Sequence, residues 1–158
     1  MDSIKHISII YNNPFIFYPL FVEFYSNIPQ KDKNILLSYL VLPLVLYHPP
    51  RLAIKNSQAG TRSTIYSVFS DRKTEERIFG LEERIKSYKS LTNDSLRYAI
   101  TSGMLVLNDN LSISIKNLKL ANKKLCQRDI LMAAKKLGIL LAQYDILTCY
   151  SILGVKEL

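Results

Sequence analysis

Few residues in this chain have a type and spacing that could do chemistry. There are two histidines, His6 and His48, and two cysteines, Cys126 and Cys149. His6 lies in the opening segment and His48 at a helix end beside two prolines, which suits structural or solvated roles better than a general base. No Cys/His spacing fits a zinc site, and no Gly-rich loop fits a phosphate cradle. Glu75-Glu76 and Glu82-Glu83 are paired carboxylates, but Arg72, Lys73, Arg77, Arg84 and Lys86 alternate with them. That is the pattern of a solvated face laced with ion pairs. The expectation is a protein that is not an enzyme and uses no cofactor or metal.

A basic stretch is more informative. Lys116, Lys119, Lys123, Lys124 and Arg128 fall between Ile115 and Asp129 with no acidic residue among them. Just upstream, a helix through Leu96, Tyr98, Ala99 and Ile100 closes at Gly103, and a hairpin follows. Its strands carry Leu105, Val106 and Leu107 against Leu111, Ile113 and Ile115, across the turn Asn108-Asp109-Asn110. Helix, hairpin and basic segment in that order are the layout of a winged helix domain. The helix before the wing offers only Arg97 as a strong base reader, so non-specific phosphate contact and a plain protein-binding or solvated face both remain open.

The elements that must position these residues are mostly helical. Asn12-Asn13-Pro14 is a helix start, with Asn as cap and Pro in the first turn. The helix continues through Phe15, Tyr18, Phe21, Val22 and Tyr25, apolar on nearly every face, and Pro19 sits inside it. After a polar connection with Asp32 as cap comes the apolar block Ile35–Tyr47. At about 13 residues it is too short for a membrane span of roughly 20, so it reads as a core helix kinked near Pro43. His48-Pro49-Pro50-Arg51 ends it. A short helix over Ser63–Phe69 follows. A charged helix from about Arg72 to Tyr88 is capped by Asp71, and a separate one is capped within Thr92-Asn93-Asp94-Ser95. A longer helix starts somewhere between Leu118 and Asp129 and reaches Tyr144, and Asp145 caps a last one ended by Gly154.

The fold expected is mainly α: one compact domain over 1–158, with six to seven helices and one short hairpin, winged-helix-like in its second half. Within it, 1–11 is a strand or arm and 13–50 a buried helical pair. Residues 61–115 hold helices plus hairpin, and 118–158 the C-terminal helices. Hydrophobic residues at 48% and charged residues at 22% are the balance of a globular chain. The net charge of +8 favours acidic partners or polyanions. Two thiols and no basic n-region before an apolar core read as reduced and cytoplasmic, without a signal peptide.

Four pieces, in order, carry a family resemblance. They are Asn13-Pro14; Leu37–Leu46 including Pro43, with His48 and Arg51; Leu96–Ile100 with Gly103-Met104-Leu105; and Ala134–Gly138 with Leu153-Gly154-Val155. Together they resemble the middle component of bacterial three-component ABC systems. That family's small protein is encoded between an ABC-type ATPase and an effector-like component in anti-phage conflict loci. The basic stretch allows a non-specific DNA contact within an assembly, and the short apolar block argues against a membrane partner. The resemblance implies a non-catalytic adaptor that assembles with those two components. It carries over no active site. A winged-helix-like DNA-binding regulator is the alternative.

Overall fold

A computed structural model describes residues 13–69 and 78–157. The N-terminal strand or arm with His6, the Asp71 cap and the start of the charged helix fall outside those residues. Among the described residues there are seven α-helices, three 3₁₀ segments and one two-stranded antiparallel sheet. The mainly helical architecture with one hairpin is as expected.

Helix α1, Pro14–Tyr25, starts where its cap predicts: Asn13 Oδ1 accepts from the Phe15 N–H at 2.9 Å. It runs unbroken past Pro19 and buries Phe17 through Val22, Phe24 and Tyr25. An element apolar on all sides must be surrounded, and α1 packs between α5 (Leu81–Thr101) and α6 (Arg128–Leu141). The closest approach is at Gly138 of α6. A Cβ there would stand 2.6 Å from the Phe24 carbonyl oxygen and 3.2 Å from Asn27 Cβ. Only a glycine lets these two backbones meet.

The apolar block is built differently from the sequence expectation. It opens as a 3₁₀ segment, Asn34–Leu40, and becomes α2 only over Val41–Val45. Pro43 therefore falls in the first turn of α2, where a missing N–H matters least. The kink is not there. The chain turns by 105° between Asn34–Val45 and the next helix, α3 (His48–Asn56), with Tyr47 extended at the corner. His48-Pro49-Pro50-Arg51 thus starts a helix as well as ending one, because prolines are tolerated in a first turn.

Three more expectations change. The charged helix expected from about Arg72 to Tyr88 is interrupted by a turn at Phe79-Gly80, with Gly80 at φ +66°, and α5 starts afresh at Leu81. Thr92–Ser95 caps nothing: α5 is a single 21-residue helix through that point. Thr92 and Ser95 are fully buried, and neither hydroxyl has a hydrogen-bond partner among the described residues. Packing of the apolar stripe against α1 and α2 has overridden a local preference for capping. Asp32 does not cap either, and instead accepts from Asn110 Nδ2 at 2.6 Å.

Gly103, at φ +75°, closes α5. Its N–H reaches the Ile100 carbonyl and that of Met104 reaches Ala99, the paired bonds of a Schellman end. Strand β1, Leu105–Leu107, then pairs with β2, Ile113–Ile115. Leu111 is not in the strand. It sits in the turn at φ +58°, strained for a leucine, and its carbonyl accepts from the Ile35 N–H. Asn34, fully buried, closes the same seam. Its Nδ2 donates to the Ile113 carbonyl at 3.1 Å, and its Oδ1 accepts from the Ile113 N–H at 2.6 Å. One side chain thereby stands in for a neighbouring strand along β2.

Two substitutions test these anchors. Gly138→Ala gains about 1 kcal/mol of helix propensity but forces a methyl onto an immovable carbonyl. The net expectation is a loss of about 1–3 kcal/mol, read as a lowered thermal midpoint; an unchanged or raised midpoint would refute the close approach. Asn34→Ala leaves two buried backbone groups unpaired and should cost about 2–6 kcal/mol in urea unfolding.

Candidate interaction surfaces

The candidate contact residues fall into two groups. Lys116, Lys119, Lys123, Lys124 and Arg128 are all exposed and lie along one segment that leaves β2 and ends at α6. The segment is irregular, with 3₁₀ turns at Leu118–Leu120 and Lys123–Leu125, yet it is firmly held. The N–H groups of Lys116 and Asn117 donate to the Met104 carbonyl. Asn117 Oδ1 accepts from the Lys119 N–H at 3.0 Å, and Asn122 Oδ1 from the Lys124 N–H at 3.2 Å. The Asn122 N–H reaches the Tyr18 hydroxyl of α1 at 3.1 Å, and Cys126 Sγ reaches the Ile16 carbonyl at 2.8 Å.

Not every cation in the segment is equivalent. Lys123 bridges to Glu23 of α1. Arg128 stands next to Asp129, which pairs with Lys55 at 2.8 Å and whose carboxyl that ammonium holds below its ordinary range. Arg97 belongs to a different element. It lies on α5 beside Asp94, 3.7 Å away. Between the lysines the segment exposes Leu118 (44%), Leu120 (52%) and Leu125 (46%). Sequence reasoning passed over these leucines; their mixture with lysines at no helical period was the available signal.

A second surface lies near the other end of α5. The last helix, α7 (Ile146–Ile152), is capped by Asp145, which accepts from the Thr148 N–H at 2.9 Å. Beside it is a groove of about 420 Å³ lined by Leu36, Ile146, Leu147, Tyr150, Val155 and neighbouring residues, with Leu147 82% exposed. The tail after Gly154 is tied to the start of α5, where Glu82 Oε1 accepts from the Lys156 N–H. That bond holds the Glu82 carboxyl below its usual range.

The remaining motif residues are structural. Arg51 Nη1 donates to the carbonyls of Val45 (3.4 Å) and Leu46 (3.2 Å) at the 105° corner. Arg84, unremarked in sequence beyond its charge, donates to the Pro43 carbonyl at 2.8 Å and stacks over the Tyr47 ring at 4.1 Å. Burial pulls its guanidinium below the ordinary value. His48 is exposed in the first turn of α3, and Pro14 opens α1. Gly154 ends α7 at φ +69°. Among the described residues no group of three or more His, Cys, Asp and Glu is placed to hold a metal ion. No single described helix is long and apolar enough to cross a membrane.

Burial pushes both thiols, Cys126 and Cys149, up to about 11. A raised thiol is neutral below that value, so alkylation of the folded protein by iodoacetamide at pH 8 should run about two orders of magnitude slower than in urea. It should accelerate as pH approaches 11. Fast stoichiometric modification at pH 8 would contradict the burial of both groups.

The model of one protein family, ABC-three component (ABC-3C) system Middle Component 3, matches residues 1–157. No curated protein and no solved structure matches the chain.

Proposed function

The chain belongs to the middle component 3 family of ABC-three component systems, and from that premise we propose that it is a non-catalytic adaptor. In this reading it bridges the ABC-type ATPase and the effector component of a bacterial anti-phage defence complex in the cytoplasm. The observation that carries the reading is the placement of its two partner-ready surfaces. The leucine–lysine segment begins where α5 ends, and the groove beside α7 is tied to where α5 begins. Twenty-one residues of unbroken helix rise about 30 Å. A rigid rod of that length, with exposed leucines near each end, suits a subunit that holds two partners apart and in register.

The chemistry of the side chains agrees with an adaptor. The thiols are held protonated. Asp129 and Asp145 are committed to a lysine and a helix cap. Such groups stabilise structure and are poorly placed to act as nucleophile or base.

A DNA-binding regulator is the second reading, favoured by the exposed lysines after the hairpin. The hairpin itself argues against it: residues 105–115 contain no Lys or Arg, and the turn carries Asp109. Any DNA contact is therefore expected to be non-specific and to occur within the assembly.

Co-purification from the native locus tests the adaptor. Both neighbours should be recovered with this chain, and Leu147→Lys should release one of them while the other is retained. Recovery of the wild-type chain free of both neighbours, under conditions where they bind each other, would refute the bridging role.

A further inference from the structure

We propose that the segment from Lys116 to Lys124, together with Leu125, is a preformed docking strip for an acidic protein face with an apolar centre. The strip would accept a partner helix or loop that presents aliphatic side chains flanked by Asp or Glu. This rests on the adaptor reading and names the chemistry of the partner at one end of α5.

Three observations carry the proposal. First, Leu118, Leu120 and Leu125 expose about half their surface within eight residues of chain. Exposed aliphatic side chains this close in the chain are what a protein interface buries at its centre. Second, Lys116, Lys119 and Lys124 border those leucines, and no carboxylate occurs between Ile115 and Asp129. A polar rim of one sign selects a partner of the other sign. A second copy of this chain, with a net charge of +8, would bring the same lysines against them, so self-association through this face is disfavoured. Third, the segment is fixed without being packed away. Two asparagine side chains cap its 3₁₀ turns, and Tyr18 and the Met104 carbonyl pin its backbone. An irregular segment already held in one conformation loses little freedom on binding.

A nucleic acid would fit less well. Phosphates gain from the lysines but nothing from the three leucines, and the adjacent hairpin supplies no cation. An anionic membrane would use both residue types, so the test must separate it.

Two variants of the full chain divide the contributions: Leu118→Ser/Leu120→Ser/Leu125→Ser, and Lys116→Gln/Lys119→Gln/Lys124→Gln. Each is titrated against the purified ABC-type ATPase and effector components of its own locus, a 20-base-pair duplex, and phosphatidylserine–phosphatidylcholine vesicles. The expected result is binding to one protein component that falls roughly tenfold or more in each variant. Its salt dependence should flatten only in the lysine variant. Binding to the other component should be unchanged. Circular dichroism confirms the fold of each variant, and where a triple variant fails to fold, Leu120→Ser and Lys119→Gln are measured singly under the same criteria.

Undiminished protein binding by the leucine variant overturns the strip and leaves the adaptor role standing. Duplex or vesicle binding stronger than protein binding, and lost with the lysines, also overturns it in favour of a polyanion site. Failure of the wild-type chain to bind either component overturns the adaptor reading and the strip together.

Discussion

The carbonyl groups at helix ends are the constraint on which this structure turns. The last four carbonyls of every helix lack intrahelical partners, and this chain breaks its apolar core into short helices that multiply such ends. It meets the need with cations. Arg51 and Arg84 take the carbonyls around the 105° corner at Leu46 and Tyr47. Lys136 takes those of Lys55 and Ser57 at the end of α3, and Lys31 those of Ala142 and Tyr144 just past α6. A charged donor on the negative end of a helix dipole gains twice, from the hydrogen bond and from the field.

This changes what the net charge of +8 means. A cation bonded to a carbonyl has no carboxylate to cancel it, so a helix-capping lysine or arginine adds to the total without facing any partner. The excess is thus partly internal. Among the outward cations, Lys116, Lys119 and Lys124 stand among exposed leucines after the hairpin. The fold and the surface draw on the same residue types for different purposes, and only the three-dimensional arrangement separates them.

Local signals were legible in the sequence, and long-range ones were not. Asn13 and Asp145 cap helices as their spacing implies, Gly103 closes α5, and the hairpin falls where alternation puts it. Each of these depends on groups within a few residues. Thr92–Ser95 presented an equally good local cap, and lost to the packing of α5 against α1 and α2. Proline chemistry places the corner at Pro43, but it lies where guanidinium groups from residues 51 and 84 hold it. Asn34 looked like part of a polar connection. Its partner is Ile113, 79 residues away, a separation at which no periodicity points. The leucines of the strip were visible as letters, but their exposure depends on how the surrounding elements pack.

The asparagine at that seam has a further consequence. A two-stranded sheet leaves unpaired N–H and C=O groups along its margins, and such margins invite strands from other chains. On β2 the margin is occupied by one amide side chain that makes both bonds of a neighbouring strand. An amide side chain has no next residue with which to continue the ladder. The sheet therefore stops there, and growth into an intermolecular β-structure finds no template along that edge.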